Sequence, residues 1–224
     1  MKSFHMLLGL PISDISLEET CLLADKRRKN SLSIWLMADA ALALRCHKQA
    51  QSLDACLLAE RIFAQGQSIR VAAARLGQTF TEKAFSACDL LPALMSAHAG
   101  RYFFIGGKSG MARRAAVACA SAAGRIPCPV VGGVRGDFCR KGRENAAVLT
   151  RIWECQPDFV FLAMDDAALW LAENRHKLPP ALYIAAPSEA MAELAGDKRE
   201  SEPFAAWRAF CCREQLRRWA KRVL

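Results

Sequence analysis

Several residue classes are scarce in this sequence, and each scarcity argues against a class of protein. Only two of the 224 residues are tyrosine, and aromatic residues do not alternate with basic ones as they do in RNA-binding modules. No window approaches the roughly 18 uncharged apolar residues of a membrane-spanning helix. The N-terminus carries one lysine and a short apolar patch without a secretory apolar region. We therefore expect neither a reader of nucleic-acid sequence nor an integral membrane protein.

Common cofactor and metal motifs are also missing. A P-loop would need a glycine where Tyr102 stands, and the G-x-G-x-x-G dinucleotide fingerprint does not occur. The ten cysteines include no C-x-x-C pair and no zinc-ligand spacing, and there is no D-x-D motif. We predict no cofactor, no metal, and reduced cysteines that act as small core residues in a cytosolic protein.

Positive charge is what the sequence has in excess. Lysine and arginine number 31 against 22 acidic residues, which gives a formal net charge of +9 and a pI near 9.2. This balance favours an anionic partner, whether a nucleotide, a phospholipid surface or a nucleic acid. A hydrophobic content of 53% is enough for a real core. The length allows one large domain or two small ones.

The segment 102–116, YFFIGGKSGMARRAA, is the most informative part of the chain. An apolar strand ends in a loop of small residues, and a helix-forming segment follows at once. Such a loop presents backbone N–H groups and the positive end of a helix dipole to one spot, as phosphate sites do. A plain tight turn explains the glycines equally well. The candidate phosphate contacts are Gly106, Gly107, Lys108 and Ser109.

Short apolar strands alternate with helices in the second half of the chain. Strands are predicted over 102–105, 129–131, 159–163 and 182–185, and helices over 111–123, 144–154 and 167–177. Strands that are apolar on both faces indicate a parallel sheet covered by helices, a Rossmann-like α/β fold. The strand ends then meet at one edge, where we expect a ligand. The residues placed there are Gly106-Gly107, Gly132-Gly133, Asp165-Asp166 and Ala186-Pro187.

The first half predicts three more strands, over 6–12, 33–37 and 55–59, the last ending at Glu60. Helices are predicted over 13–29 with Ser16 as the cap, from the second strand through Ser52, and over 62–76, with an amphipathic segment over 90–98.

The C-terminal segment differs from the rest because bulky apolar residues alternate with dense positive charge. We divide the chain into a domain over 1–202 and a basic amphipathic appendage over 203–224. The appendage suits the interface of an anionic membrane leaflet. A terminal helix that packs its tryptophans on the domain is the equal alternative. The predicted membrane or acceptor contacts are Arg208, Arg213, Arg217, Arg218 and Trp219.

The order of several motifs gives the chain a family resemblance. LLGLPISDISLEE, CDLLPAL, FFIGGKSGMARRAA, VVGGVRGDF, QPDFVFLAM, WLAENRHKLP and the arginine-rich ending occur in this order. Together they resemble the WecG/TagA/CpsF family of bacterial glycosyltransferases over nearly the full length. The resemblance implies an inverting enzyme that moves a sugar from a UDP donor to a polyprenyl-diphosphate-linked acceptor. It also implies a place on the cytoplasmic face of the plasma membrane, in the synthesis of exopolysaccharide, capsule or teichoic acid linkage units.

The resemblance also implies site residues. The family's proposed base is an aspartate after the third strand, in a stretch like P-D-G, and the matching residues here are Ala59-Glu60-Arg61. Glu60 would then be the base, although a surface glutamate that opens a helix is an equal alternative. Ser86 and Asp89 match polar positions of the family, and Arg135 is a candidate diphosphate contact because its fork suits phosphate geometry.

Three departures from the family pattern bear on activity. The threonine-asparagine pair after the second strand corresponds to Leu36-Met37-Ala38, and Ala87 replaces a glycine. The G-x-P-x-Q-E stretch corresponds to residues 163–168, where alanines replace the glutamine and the glutamate. Asp165 and Asp166 either take over a polar role there or cap the following helix.

We therefore keep three hypotheses about function. The weakest is a phosphate-binding module unrelated to glycans. The first is an active glycosyltransferase with a UDP-sugar donor, a lipid-linked acceptor and an anionic membrane surface as partners. The second is a degenerate relative that binds a nucleotide sugar or a partner enzyme without transfer. Nucleic acid is not expected, and a homo-oligomer stays open.

Overall fold

The computed structural model describes residues 4–26, 30–125 and 129–197. These residues form a mixed α/β fold with one eight-stranded sheet, in the order β1-β2-β4-β3-β8-β7-β5-β6. The strands are β1 Phe4–Leu7, β2 Leu10–Ser13, β3 Ser33–Ala38, β4 Arg61–Ala64, β5 Tyr102–Gly106, β6 Val130–Val134, β7 Phe159–Ala163 and β8 Leu182–Ala186. The predicted appendage, with Arg208, Arg213, Arg217, Arg218 and Trp219, lies outside the described residues, so the domain division stays a prediction.

Helices cover both faces of the sheet. They are α1 Leu17–Asp25, α2 Ala40–Lys48, α3 Ala50–Leu57, α4 Gln67–Arg75, α5 Ala87–Ala97, α6 Met111–Ala122, α7 Gly142–Cys155, α8 Ala167–Asn174 and α9 Glu189–Leu194. A 3-10 turn, Arg175–Lys177, extends α8. None of the helices in the described part of the chain is long and apolar enough to cross a bilayer.

The sheet is parallel except at one margin, which confirms the predicted fold class. β1 pairs antiparallel with β2, and every other pairing is parallel. In the central register Gly106 pairs with Ala163, and Ala163 pairs with Ala186. The carboxyl ends of β5, β7 and β8 are therefore level, and their loops open on one side.

Burial explains why the central strands form. Every residue of β3, β5, β7 and β8 is buried, so neither face of these strands meets water. Successive side chains of β3 alternate between two hydrophobic clusters, with Ile34 and Leu36 in one and Trp35 and Met37 in the other. This alternation is the period-two geometry of a strand between two helical layers.

In the first half of the chain, three predicted elements differ from the structure. The predicted strand over 55–59 is wrong because those residues end α3 and continue beyond it, and the strand is β4, Arg61–Ala64. The helix predicted from Ile62 starts only at Gln67. The strand predicted over 6–12 is a hairpin, turned at Leu8 and Gly9, which both have positive φ.

The predictions for the cap of α1 and for the cysteines agree with the structure. Ser16 accepts from the Glu19 N–H while Glu19 accepts from the Ser16 N–H, so the predicted cap of α1 is confirmed as a capping box. The described cysteines are free thiols, and Cys46, Cys56 and Cys119 are buried core residues.

A buried carboxylate fixes the loop before α5 to the hairpin. Asp14, which directly follows β2, accepts hydrogen bonds from the Thr81 N–H at 2.8 Å, the Thr81 hydroxyl at 2.8 Å and the Glu82 N–H at 3.1 Å. Burial alone would raise the pKa of Asp14, but these bonds outweigh it and lower the pKa below 3.8. The ionised form therefore stabilises the fold.

Replacing this carboxylate should cost stability in a pH-dependent way. We expect Asp14→Asn to lower the free energy of unfolding in urea by about 1–3 kcal/mol at neutral pH, because charge-assisted bonds are lost. Since the folded pKa lies below the unfolded one, the difference from the wild type should shrink as pH falls below about 4. Asp54→Asn, at an exposed acid of α3, is the control. A constant difference from pH 7 to pH 3 would contradict this account.

Candidate active site at the carboxyl edge of the sheet

A cavity of about 180 Å³ opens at the carboxyl edge, where β3, β8 and β7 end. Its walls come from the end of β3, the first turns of α2, and the loops that follow β7 and β8. Adjacent parallel strands whose crossovers leave in different directions create such crevices, and ligands bind there in open α/β sheets. The cavity therefore lies where the sequence predicted a ligand.

The cavity is acidic although the protein is basic. Among the described residues, four carboxylates line it, from Asp39, Asp165, Asp166 and Glu189, against one cationic side chain, that of Arg45. Two of them belong to the predicted edge residues Asp165 and Asp166.

Asp166 is neutralised by two arginines. Arg45 of α2 donates to one of its oxygens, and the Arg140 guanidinium lies 3.4 Å from the other. Asp166 occupies the N-cap position of α8 but makes no capping bond through its side chain. Asp166 therefore takes part in ion pairs at the sheet edge and does not cap α8 through its side chain.

Asp165 belongs to the same loop and joins it to the neighbouring one. Its carboxylate accepts from the Ser188 hydroxyl at 2.9 Å, and its backbone carbonyl accepts from Arg140. Asp165 itself is exposed. Arg140 thus connects the loop after β6 to the cavity rim.

Asp39 is the half-buried acid that directly follows β3. One of its oxygens, Oδ1, accepts from the Leu42 N–H at 2.7 Å and caps α2. Burial raises the pKa of Asp39, and the nearby charge of Glu189 adds to the rise, while the Leu42 bond and the Arg45 charge oppose it. The sequence analysis did not single out Asp39 or Arg45.

The glycine loop after β5 is packed from behind by the loop after β6. Gly106 and Gly107 have φ of 154° and 64°, values that disfavour other residues. The Gly136 N–H donates to the Gly107 carbonyl at 2.9 Å, and a Cβ on Gly136 would lie 2.9 Å from the Gly106 Cα. Lys108 and Ser109 are exposed beyond this contact.

Gly132 and Gly133 do not lie in a loop as predicted. They are inside β6, where Gly132 pairs with Phe103 and Gly133 with Phe104. A Cβ on Gly132 would lie 2.6 Å from the Phe103 ring, so glycine is needed there for packing. Arg135 does follow the strand at the edge, with its Nε 3.4 Å from Asp137.

Glu60 is on the wrong side of the sheet for the predicted catalytic role. It precedes β4, so it lies at the amino end of that strand, whereas the cavity is at the carboxyl ends. There it accepts from the hydroxyl of Ser33, the first residue of β3, at 3.2 Å. The prediction rested on a strand that ends at residue 59, and that strand does not exist.

The strand that the structure shows changes what the resemblance implies for the base position. Because Gln65-Gly66 directly follows β4, the resemblance now implies Gln65-Gly66, rather than Glu60-Arg61, as the match to the D-G part of the family stretch. The Gln65 side chain accepts from the Ala87 N–H at 3.0 Å, and its backbone N–H donates to the Ala38 carbonyl at 2.7 Å. An amide cannot accept a proton as a carboxylate can.

Ser86 and Asp89 form the cap of α5. The Ser86 N–H and hydroxyl lie 2.7 and 2.8 Å from one Asp89 oxygen, and Ser86 in turn caps the helix. Both bonds go to one oxygen of Asp89, which is exposed, and a substrate contact by this pair stays a prediction.

Comparison with known proteins identifies the family of the chain. The sequence profile described as Glycosyl transferase WecG/TagA/CpsF family matches residues 5–204. The chain belongs to this family. A search of curated proteins found no match.

Membership of the WecG/TagA/CpsF family confirms the resemblance and makes the alanines of the β7–α8 loop notable. By the resemblance, Ala167 and Ala168 replace the family's glutamine and glutamate, and both line the cavity. β3 runs through Ala38, and the first residue after it is Asp39. One wall of the cavity therefore carries two alanines, and another carries Asp39.

The pairing of Arg45 with Asp166 can be measured by a double-mutant cycle. Arg45→Met and Asp166→Asn, whose asparagine tolerates the φ of 52°, should be non-additive in urea unfolding by about 0.2–1 kcal/mol. A larger coupling is not expected because the side chains are 36% and 41% exposed. The same cycle on the more exposed Arg151–Glu154 pair is the reference. Additivity at both pairs would show that the contact contributes nothing.

Proposed function

We propose that this chain is an active glycosyltransferase that takes a sugar from a UDP-sugar and passes it to a polyprenyl-diphosphate-linked acceptor. The observation that carries the proposal is the coincidence of family membership over residues 5–204 with an open cavity at the carboxyl edge. We further propose that transfer inverts the anomeric centre and serves the synthesis of a cell-envelope polysaccharide.

The donor's diphosphate would lie on the β5–α6 side of the edge. Gly110 is the N-cap of α6 and offers no capping side chain, so the first turn keeps N–H groups for an anion. Lys108, Arg135 and Arg140 surround this end of the sheet with positive charge, which would stabilise UDP as it leaves.

The sugar would lie in the cavity. Negative walls repel a diphosphate, whereas carboxylates accept hydrogen bonds from sugar hydroxyls. A volume of about 180 Å³ is below the roughly 300–1,000 Å³ of whole-ligand pockets, so it suits one ring rather than a nucleotide sugar. Only β7 lies between β5 and β8, so about 10 Å separates the glycine loop from the β8 end.

The degenerate-binder alternative has specific support in this structure. Gln65 holds the family's base position, and Ala167 and Ala168 hold two other polar positions. A protein with this loss could keep UDP-sugar affinity and lack turnover. Binding and turnover therefore need separate measurement.

Donor binding can be tested through Arg140. We expect Arg140→Met to weaken UDP binding roughly tenfold in calorimetry, because a charge-assisted contact to phosphate is lost. Uridine, which has no phosphate, should bind both proteins equally. Arg151→Met on α7 is the control, since Arg151 pairs only with Glu154 among the described residues. Absence of UDP binding to the wild type would refute the proposed donor.

Membrane association can be tested with the appendage. We expect the full chain to sediment with liposomes that contain anionic phospholipid, and a chain ending at residue 202 to stay in the supernatant, because basic amphipathic segments bind anionic surfaces. High salt should reduce sedimentation of the full chain. Sedimentation of the truncated chain would place the membrane contact on residues 1–202.

A further inference from the structure

We infer that Asp39 is the catalytic base of this chain and takes the proton from the acceptor hydroxyl. The inference rests on the proposed glycosyl transfer and names the residue that performs its proton step. Inverting transfer needs a carboxylate beside the attacking hydroxyl. The residue that directly follows β4, where the resemblance implies the family's base, is the amide Gln65.

Asp39 follows β3, and Gln65 follows the neighbouring strand β4. The Gln65 N–H donates to the carbonyl of Ala38, the residue before Asp39, at 2.7 Å. Since neighbouring strands are about 4.8 Å apart, a carboxylate after β3 reaches the same part of the edge as one after β4. Asp39 lines the cavity, whereas Gln65 does not belong to its walls.

The other carboxylates of the cavity are less suited to the task. Both carboxylate oxygens of Asp166 are engaged in ion pairs, one with Arg45 and the other with Arg140. Asp165 and Glu189 are exposed to water. Asp39 alone among the four is half-buried without a direct ion pair in the described structure.

The surroundings of Asp39 also favour the uptake of a proton. The charged groups around it are Arg45 on α2, Asp165 and Asp166 on the β7–α8 loop, and Glu189 on α9. Burial and the charge of Glu189 raise the pKa of Asp39, which makes its carboxylate a stronger base. The helix-capping bond from the Leu42 N–H goes to Oδ1, and we assign the proton transfer to Oδ2.

The step balances without a co-reactant. The acceptor oxygen bonds to the anomeric carbon while its proton passes to Asp39. The bond from the anomeric carbon to the diphosphate oxygen breaks, and its electron pair leaves with UDP. Asp39 returns the proton to solvent before the next turnover.

The test uses the full chain and two variants, Asp39→Asn and Asp39→Ser. Asparagine has the shape of aspartate. Asparagine and serine both cap helices well, so α2 should be retained. UDP affinity by calorimetry should stay within about twofold of the wild type. UDP release from UDP-glucose and UDP-N-acetylglucosamine, with a short isoprenyl-diphosphate-linked N-acetylglucosamine as acceptor, should fall by roughly 10²–10⁴-fold. Asp54→Asn should match the wild type in both assays.

The pH dependence separates a base from a cap. The wild-type rate should rise with pH as Asp39 ionises, and the residual rate of Asp39→Asn should lack that rise. Turnover of Asp39→Asn within threefold of the wild type would overturn the assignment. UDP binding by a wild type that turns over neither donor would also overturn it and favour the degenerate binder. A wild type that does not bind UDP would instead refute the proposed function itself.

Discussion

The register of the parallel strands is the constraint on which the site depends. Gly106, Ala163 and Ala186 are successive partners across β5, β7 and β8, so three loops start from one line. β3 joins the same array through its pairing with β8. Buried side chains on both faces fix this register, because a slip by one residue would exchange the two hydrophobic layers. The cavity, the glycine loop and Asp39 share one edge for this reason.

Packing in the strands and loops also explains which glycines matter. Gly132 makes room for the Phe103 ring, and Gly136 lets the loop after β6 approach the backbone of Gly106. These are requirements of close approach within the fold. Gly110 is different, because its φ of 79° starts α6 and nothing lies within 4 Å of its missing Cβ. A G-G motif in the sequence does not reveal whether its glycines are needed for close packing or for a positive φ.

Much of the fold was predictable because its central strands are apolar on both faces and alternate with helices. The failures lie where the signal is weakest. The run over residues 55–59 is short and apolar, a pattern that fits a strand or a buried helix end equally well. Because of that one shift, Glu60 was predicted at the carboxyl end of a strand, although it precedes β4, and Gln65, which does follow β4, was not considered.

The site itself was predictable only in outline. Asp165 and Asp166 were placed at the edge because they directly follow an evident strand. Asp39 also follows a strand, but the predicted strand ended one residue early, at Met37, so the acid after Ala38 did not stand at its end. The pairing of Arg45 with Asp166 joins residues 121 positions apart, and no local pattern records such a contact. A rule that inspects every polar residue after a buried parallel strand would have found Asp39.

An acidic cavity inside a protein of net charge +9 separates two electrostatic tasks. Positive charge at the exterior and at Arg135 and Arg140 would attract the proposed anionic donor and compensate the charge of a departing diphosphate. Inside the cavity, burial and, after it, the charge of Glu189 make the ionised form of Asp39 less stable and its protonation more favourable. If the cavity were as basic as the exterior, the pKa of Asp39 would fall and its carboxylate would be a poor base. The rim and the cavity therefore need opposite charge, and the arginines at Asp166 lie where the two regions meet.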